Sequence, residues 1–595
     1  MIPRDDVKVE PREHLGAAPS APARSGLGLR RHPSVPLSIV LAAFVASTFL
    51  MPTLVSFGVS DDFLYAHSVD QLVSHGNLVV FPATAATLLF QVAWGAAFTA
   101  VFGHSFAVLR VATLTMTVIG AVATYALARE LRVDRVRSAL GTAACLFNPI
   151  AYVLAFTFMT DDYLVSLIAI ATYAYARALR RDVVDGRWMV AGSAAASAAF
   201  LVRHQGALVS IGVLTYLLVA HRLHRDRATL RVVAQAALLP FIVVVAYTVW
   251  YRVLAGTPAN AAQLSYFRGW TDAGAGAIAK EGARIFFLDV MFVGLFVLPF
   301  GLAALPRVRV MARVMSRRAW VVLGAIFAAT AIAAVVLDWL RMPYVPQFLN
   351  IAGLGPSDLR GGRYPIFDGA WRTIATVACA AATATVLLAI SARLARKTGP
   401  RDAAGVMVVC VLAWQALAVL GPSMVLRNGP ISYDRYFLPM LPLAVCAALW
   451  ALRDVEFSVT IATAATVVVA AFSVGATHDF LDRQAAVWRV ARDAHASGIA
   501  YSQLDAGAAW DGYHLYEFSV RNAINPVIPR GLTGRLVLSK YDGPPWWIGF
   551  YAPALRGDYI VASDRLYSYD VLRRVKYSSW LDRGTSYIYL LRHPP

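Results

Sequence analysis

The chain has 595 residues, of which 58% are hydrophobic and only 15% are charged, and its mean hydropathy is +0.58. This composition is too apolar for a soluble protein of this length, so it excludes an ordinary soluble enzyme and predicts a polytopic α-helical membrane protein. The net charge of +19 does not indicate nucleic-acid binding, because the arginines stand in short stretches between apolar runs. Such stretches mark cytoplasmic loops.

In chain order, residues 1–34 are rich in Pro, Ala and Arg and predict a disordered cytoplasmic tail. The apolar runs that follow alternate with basic stretches at 129–137, 177–187, 222–231, 307–318 and 393–401. If these stretches are cytoplasmic, the alternation gives about 13 transmembrane helices, with the N-terminus in the cytoplasm and the C-terminus outside. The apolar stretch 78–102 does not fit the alternation, so we interpret it as a helix lying at, or dipping into, the outer surface.

The transmembrane domain is predicted over residues 35–475, with long outer-face loops at 56–104, 255–282 and 338–369. Its last span is expected at 457–474. Beyond it, charges and aromatic residues become more frequent, and the runs DYIVAS and SYIYLL are typical of short strands. Residues 476–595 are therefore predicted to form a small extracytoplasmic α/β domain.

Several ionisable side chains fall at the outer ends of predicted spans. They are the acidic pairs Asp61–Asp62 and Asp161–Asp162 and the arginines Arg110, Arg203 and Arg435. A charge at the edge of an apolar span is costly unless it is paired or faces water, which makes each residue a functional candidate. Taken singly, each could instead be a snorkelling side chain or half of a private ion pair.

Together these residue types suit one kind of chemistry. A planar guanidinium donates paired hydrogen bonds to phosphate oxygens, so Arg203, Arg435 and Arg110 are candidates to bind a lipid-linked phosphate. A carboxylate beside that phosphate can take the proton of an incoming hydroxyl. The set therefore predicts transfer of a sugar from a polyprenyl-phosphate donor by a single displacement.

The motifs that carry these residues also resemble a known family. They are, in order, SDDFLYAHSVDQLVSHGNLV, FGHSFAVLR, FNPIAYVLAFTFMTDDYL, FLVRHQGAL and YDRYFLPMLPL. The chain resembles the GT-C-fold membrane glycosyltransferases related to protein O-mannosyltransferases and lipid A aminoarabinose transferases (glycosyltransferase family 39-like). The resemblance covers approximately residues 35–475.

The resemblance implies a GT-C fold and places the catalytic base on Asp61, with Asp62 as its neighbour or alternate. It also implies that the acidic pair Asp161 and Asp162 supports the first outer loop or, in some relatives, a divalent metal. Where relatives often carry a lysine followed by glycine, this chain has Arg203 followed by His204 and Gln205. Lysine carries a compact ammonium charge and arginine a planar guanidinium with paired donors, so this exchange leaves the position of the phosphate open.

Other features stay open from the sequence. A divalent metal would need three or more converging ligands, and only Asp61, Asp161 and either His67 or His104 suggest themselves; no other cofactor is indicated. The acceptor could be a lipid, a glycan or a protein, and the expected location is a bacterial-type inner membrane. The rival function is a transporter or flippase of a lipid-linked or anionic solute, and a third is a scaffold without activity.

Overall fold

The computed structural model describes residues 35–593 with gaps at 181–182, 221–225, 258–260, 265–273, 396–401, 424–431, 523–544 and 582–585. Between 314 and 340 it describes only residues 321, 324, 325, 327, 328, 332 and 336. The described chain is predominantly helical, with a small sheet near its end. The predicted tail, residues 1–34, lies outside the described residues.

The first half of the described chain forms ten α-helices. These are α1 (Val35–Thr48), α2 (Asp62–His75), α3 (Leu89–Phe102), α4 (Phe106–Glu130), α5 (Arg135–Leu146), α6 (Pro149–Leu154), α7 (Thr160–Ala178), α8 (Gly186–Phe200), α9 (Leu208–Val219) and α10 (Arg227–Val249). A 3-10 turn at His204–Ala207 joins α8 to α9, and a π-helical turn at Trp250–Leu254 continues α10.

The second half adds nine further α-helices among the described residues. These are α11 (Ala275–Ala304), α12 (Val308–Ala312), α13 (Gly369–Ala395), α14 (Ala403–Ala418), α15 (Leu420–Ser423), α16 (Leu441–Ala451), α17 (Val459–Ala496), α18 (Ala508–Arg521) and α19 (Trp546–Tyr551). Short 3-10 helices lie at Leu305–Arg307, Asp434–Met440 and Tyr501–Gln503.

The described helices are those of a multi-pass membrane protein. Five are long and apolar enough to cross a bilayer: Phe106–Glu130, Arg227–Leu254, Ala275–Ala312, Gly369–Ala395 and Val459–Ala496. Four shorter apolar helices lie at Val35–Thr48, Leu89–Phe102, His204–Val219 and Ala403–Ala418. The predicted number of spans, about 13, is therefore not reached by the long helices of the described part alone.

Helix α3 occupies the apolar stretch that did not fit the alternation of loops. It has 14 residues, which corresponds to about 21 Å of helix. That length falls short of the roughly 30 Å hydrocarbon core of a bilayer. Helix α1, which lies in the first predicted span, is also 14 residues long, so the interpretation of 78–102 as a segment that does not cross the membrane stays a prediction.

Small residues allow the long helices to approach closely. A Cβ atom built on Gly294 of α11 would lie 2.2 Å from the carbonyl oxygen of Cys379 in α13, and one on Gly301 would lie 2.5 Å from the Cα of Ala382. Helices in a bilayer associate through such tight backbone contacts, because there is no hydrophobic gain in leaving the lipid. These two glycines therefore fix the pairing of α11 with α13.

Two predicted boundaries differ from the structure. Helix α17 continues through residue 476, where the α/β domain was expected to begin, and ends at Ala496 after 38 residues. The outer loop predicted at 255–282 likewise ends early, because α11 begins at Ala275. In both places the helix includes polar residues that the sequence analysis had assigned to a loop or to the next domain. A change in polarity therefore did not mark the helix boundary.

The C-terminal region carries the expected mixture of helices and strands. Strands β3 (Leu504–Asp505), β4 (Tyr559–Ala562), β5 (Asp570–Lys576) and β6 (Tyr587–Arg592) form a sheet in the order β3-β4-β6-β5. Strand β3 pairs parallel to β4, and the other pairs are antiparallel. The strands predicted from DYIVAS and SYIYLL are thus confirmed as β4 and β6.

The described part of the loop predicted at 338–369, from residue 341 onwards, is tied to its surroundings. It contains a two-residue hairpin of strands β1 (Leu349–Asn350) and β2 (Gly353–Leu354). Arg360 lies 2.7 Å from the Asp505 carboxylate, which joins the loop to the C-terminal sheet. The loop therefore connects the membrane helices to the C-terminal domain.

Candidate active site

The first element of the site is the turn that leads into α2. Ser60 adopts a left-handed backbone conformation with φ of +54°, which is uncommon for a residue other than glycine. Asp61 follows at the N-cap of α2, and its side chain does not cap the helix. Instead its Oδ1 accepts a hydrogen bond from Ser60 Oγ at 2.8 Å, and its Oδ2 accepts one from the Tyr65 hydroxyl at 3.3 Å.

The 3-10 helix Asp434–Met440 brings Arg435 to this carboxylate. Arg435 is 5% exposed, and its Nη2 lies 3.5 Å from Asp61 Oδ2. Its Nη1 lies 3.6 Å from Asp161 Oδ2. Arg435 Nε is buried and has no hydrogen-bond acceptor among the described residues, so one donor of the guanidinium is left unused.

Asp161 connects Arg435 to a second arginine. Asp161 lies in the first turn of α7, where the helix dipole favours a negative charge. Its Oδ1 lies 2.9 Å from Arg203 Nη1, and its Oδ2 accepts a hydrogen bond from Arg203 Nη2 at 3.3 Å. Four residues distant in sequence thus form one network of alternating charge, with Arg435 and Asp161 buried and Asp61 and Arg203 partly buried. We call Asp61, Arg435, Asp161 and Arg203 the ion-pair network.

Aromatic rings line the network. The guanidinium carbons of both Arg435 and Arg203 lie 5.7 Å from the centre of the Tyr436 ring. The Arg435 guanidinium carbon is also 5.9 Å from the rings of Phe348 and Tyr433. Rings at this distance attract a cation and exclude water from it, which strengthens every electrostatic interaction inside the site.

Asp434 is a residue of the site that the sequence analysis did not single out. Its Oδ2 accepts hydrogen bonds from the backbone amides of Gln347, Phe348 and Leu349 at 3.3, 2.9 and 2.6 Å. Its backbone amide donates to the carbonyl of Val345 at 3.1 Å. Asp434 thereby fastens the 338–369 loop beside Arg435. The available signal was its position within YDRYFLP, directly before the chosen arginine.

The two aspartates of the first acidic pair differ in their electrostatics. Burial of Asp61 opposes its ionisation, but the charge of Arg435 and the hydrogen bond from Ser60 outweigh burial and hold its pKa below the ordinary value. Burial raises the pKa of Asp62 to about 8. At neutral pH, Asp61 is therefore a carboxylate and Asp62 is largely a neutral acid.

Asp62 also has a different neighbourhood. Its Oδ1 accepts a hydrogen bond from the backbone amide of Val59 at 2.8 Å, and the residue is 2% exposed. This contact closes the turn before α2. The structure therefore brings Asp61 into the ion-pair network and gives Asp62 a role in shaping the turn.

Arg110 lies outside the network and is occupied by backbone carbonyls. Its Nε donates to Phe156 O at 2.7 Å, and its terminal nitrogens donate to the carbonyls of Thr53, Val55 and Phe57 at 2.8, 3.0 and 3.2 Å. The guanidinium carbon also lies 4.3 Å from the centre of the Phe57 ring. Arg110 thus holds the segment after α1, which does not suit the phosphate-binding role expected for it.

Asp162 is likewise turned away from the network. Its Oδ2 accepts a hydrogen bond from the Thr117 hydroxyl of α4 at 3.1 Å. This contact ties α7 to α4. Of the second acidic pair, only Asp161 joins the arginines.

The side chains do not fit a metal. Within the described part of the chain, no three His, Cys, Asp or Glu side chains converge as metal ligands. Asp61 and Asp161 face guanidinium groups, and His67 faces α18, where its Nε2 lies 3.0 Å from the Tyr513 carbonyl. His104 is exposed and forms no such group with them. We derive no step through a metal.

The ion-pair network is balanced in charge, contains the ionised Asp61, and leaves one guanidinium donor of Arg435 without an acceptor among the described residues. These features define a class of site. It can bind an anionic group such as a phosphate ester through Arg435 and Arg203. It can also remove a proton through Asp61. These are the requirements of a membrane-embedded transferase that uses a phosphate-linked donor.

Comparison with known proteins agrees with this class. Residues 90–250 match the model of the dolichyl-phosphate-mannose-protein mannosyltransferase family. The match contains Asp161 and Arg203 of the network, begins after Asp61 and ends before Arg435. It confirms, over that segment, the resemblance to the GT-C membrane glycosyltransferases. No curated protein matches the chain.

Solved structures show a distant likeness over most of the chain. One is ArnT from Cupriavidus metallidurans bound to undecaprenyl phosphate, at 15% identity, with 94% of this chain and 98% of that chain covered and a TM-score of 0.41. Another is the oligosaccharyltransferase AglB from Archaeoglobus fulgidus with an inhibitory peptide and a dolichol-phosphate, at 14% identity, 88% and 63% coverage and a TM-score of 0.41. Both TM-scores lie below 0.5, the level of a distant resemblance in shape.

Proposed function

We propose that this protein is a membrane glycosyltransferase that moves a sugar from a polyprenyl-phosphate donor to an acceptor on the extracytoplasmic side of a bacterial-type inner membrane. The observation that carries the proposal is the buried network in which Arg435 bridges Asp61 and Asp161 and keeps its Nε without an acceptor among the described residues. The match of residues 90–250 to a family named for a dolichyl-phosphate sugar donor supports the type of donor.

The two arginines of the network are the proposed phosphate ligands. Arg435 and Arg203 are both held by Asp161, so their guanidinium groups are oriented before the donor arrives. Preorganised donors stabilise the charge that grows on the departing phosphate without further rearrangement. Asp161 acts on the reaction by positioning these arginines.

Asp61 is the proposed general base, in a single displacement. The acceptor hydroxyl attacks the anomeric carbon from the face opposite the phosphate, and Asp61 takes the hydroxyl proton. The bond between the anomeric carbon and the phosphate oxygen breaks, and its electron pair leaves with the polyprenyl phosphate. If the acceptor is a phosphate, no proton needs to be removed, and Asp61 then only positions the reactants.

The acceptor class is a lipid, a glycan or a protein, and the N-terminus is proposed to be cytoplasmic. The alternative function is a transporter or flippase, in which the arginines would line a pathway. A solute pathway calls for sites that alternate in exposure, whereas these charges are locked in mutual ion pairs around one ionised base. The family match also favours the transferase.

The proposal is tested by mass spectrometry of polyprenyl-phosphate sugars and surface glycans in three strains. The strains carry the native protein, Asp61→Asn or a deletion, and immunoblotting confirms equal amounts of the two proteins in the membrane. We expect one carrier-linked sugar to accumulate and one surface glycan to disappear in both the Asn strain and the deletion strain. A native glycan profile in the Asn strain, together with a changed profile in the deletion strain, would contradict the role of Asp61.

A further inference from the structure

Two neighbouring hydroxyl groups hold the carboxylate of Asp61, one on each oxygen. Ser60 Oγ donates a hydrogen bond to Oδ1 at 2.8 Å, and the Tyr65 hydroxyl donates one to Oδ2 at 3.3 Å. The ion pair with Arg435 is longer, with Nη2 at 3.5 Å from Oδ2. A close pair of arginine and carboxylate has N–O distances of about 2.7–2.9 Å, so the ion pair alone holds the carboxylate loosely. Its orientation therefore depends on the two hydroxyls.

The backbone of the turn before α2 places the Ser60 hydroxyl. A φ of +54° lies in the left-handed region, which is unfavourable for a residue with a Cβ atom and open to glycine. The chain nevertheless has a serine here, and from this conformation its hydroxyl reaches Asp61 Oδ1. Backbone strain of this kind is concentrated at functional sites. The contact between Ser60 and Asp61 is thus made at the expense of a relaxed backbone.

Helix α2 places the Tyr65 hydroxyl. Tyr65 follows Asp61 by four residues, and residues four apart lie on the same face of a helix. The tyrosine is 3% exposed. Burial and the negative charge of Asp61 raise its pKa well above the ordinary value. The hydroxyl therefore keeps its proton and remains a donor to Asp61.

Asp61 does not perform the structural role that its position offers. An aspartate at the N-cap of a helix commonly accepts hydrogen bonds from backbone amides of the first turn. In α2 the Asp61 side chain makes no such cap, and its carboxylate meets Ser60, Tyr65 and Arg435 instead. The two hydroxyls thus hold a carboxylate that is not used to stabilise the helix, and whose side chain is 18% exposed.

We propose that Ser60 and Tyr65 are positioning residues for the glycosyl transfer, and that their hydroxyls fix the Asp61 carboxylate in the orientation in which it takes the proton of the acceptor. The inference rests on the proposed function and adds to it two residues that act through Asp61. Hydrogen bonds to the ionised form of a carboxyl also favour that form over the neutral acid. The same two contacts therefore help to keep Asp61 a base in acidic surroundings.

The test is the rate of sugar transfer by purified full-length protein between pH 3 and 8. The probe is the carrier-linked sugar purified from the deletion strain, and solubilised membranes of that strain supply the acceptor. We expect Tyr65→Phe and Ser60→Ala each to lower kcat by about tenfold, because the base is no longer held in place. The donor KM should stay within about threefold, since both arginines of the network remain. The acid limb should move up by about half to one pH unit in each variant.

The matched control is Ser74→Ala. The Ser74 hydroxyl also donates to an aspartate, Asp70 Oδ1, at 3.0 Å, at the exposed end of the same helix. Its removal should leave kcat and the acid limb native. Ser60→Gly is a second variant of the turn, because it removes the hydroxyl and also relieves the backbone. It should lower kcat as much as Ser60→Ala does, and it replaces that variant if Ser60→Ala does not accumulate in the membrane.

Combination with Asp61→Asn separates positioning of the base from a general effect on the fold. Asn cannot take the proton, so in that background the loss of either hydroxyl should change the remaining kcat by less than about twofold. A tenfold fall in that background would overturn the inference. So would a native kcat and a native acid limb in Tyr65→Phe and Ser60→Ala, and the proposed function would then still stand. If the native protein transfers no sugar from the carrier, the proposed function fails and the inference fails with it.

Discussion

Replacing Arg435 by methionine should change the pH dependence of sugar transfer as well as its rate. The substitution keeps a side chain of similar length and removes the positive charge shared by Asp61 and Asp161. With that charge gone, burial becomes the dominant influence on Asp61, and the pKa of Asp61 rises above its ordinary value. A general base is active only above its pKa, so the variant should lose activity at a higher pH than the native protein.

The size of the effect follows from the distances. At 3.5 Å and an effective dielectric constant of about 20, the attraction between Arg435 and Asp61 is about 5 kcal/mol. The pair with Asp161 at 3.6 Å is of similar size. Desolvation of the charges opposes both terms, so removing one partner of such a buried pair costs about 3–5 kcal/mol of stability.

The assay is the initial rate of sugar transfer by purified protein between pH 4 and 9. The native profile should stay flat down to about pH 4, since the pKa of Asp61 lies below its ordinary value. For Arg435→Met, the acid limb should move into the neutral range, with part of the lost activity recovered at pH 9. Loss of a phosphate ligand alone would lower the rate equally at every pH.

Arg393→Met is the matched control. Arg393 is also buried and also bridges two carboxylates, those of Asp402 and Asp454, away from the ion-pair network. Its removal should lower stability without moving the acid limb. An unshifted acid limb in Arg435→Met, or an equal shift in both variants, would refute the reasoning about Asp61.

Three further substitutions test separate parts of the site. Asp161→Ala removes the carboxylate shared by both arginines and should raise the donor KM by about tenfold or more, a loss of about 1.4 kcal/mol in binding; an unchanged donor KM would contradict the positioning role. Arg110→Met leaves several backbone carbonyls without their donor and should lower the free energy of unfolding by about 3 kcal/mol or more, while the pH profile of the remaining activity stays native; thermal unfolding and the rate profile check both. Asp434→Ala leaves three backbone amides without an acceptor and should make residues 341–368 cleave faster in limited proteolysis, whereas a native cleavage rate would show that the loop is held elsewhere.

The sequence was sufficient to find the members of the ion-pair network but not to separate them from their neighbours. Charges at the ends of apolar runs are rare enough to single out Asp61, Asp161, Arg203 and Arg435. The same signal singled out Arg110, because a buried guanidinium that satisfies backbone carbonyls has the same sequence appearance as one that binds phosphate. Only the fold brings the Phe156 and Thr53 carbonyls to it.

Asp434 shows a different limit. Its partners are the amides of residues 347–349, more than 80 positions earlier in the chain. An aspartate directly before an arginine is typical of a local ion pair. No local sequence pattern predicts that its carboxylate accepts hydrogen bonds from distant backbone amides.

Element boundaries were predicted less well than element types. The end of the last span was placed at 474, where hydropathy falls, but α17 continues to Ala496, and its turns from Gly475 to Ala491 are almost entirely buried against protein. A rise in polarity along the sequence indicates where a helix leaves the apolar environment. It does not indicate where the helix ends, because the backbone can stay helical outside that environment. Strands β4 and β6 were found because alternating aromatic and branched residues are a local signal.

The role of Asp61 is tested by comparing purified native protein with Asp61→Asn in sugar transfer from the carrier-linked donor to a hydroxyl acceptor. Asn keeps the shape of Asp61 and removes its ability to take a proton, so we expect kcat to fall by about 100-fold or more while the donor KM stays within about threefold of the native value. Native turnover by Asp61→Asn would contradict the central claim that this carboxylate is the base of a glycosyl transfer.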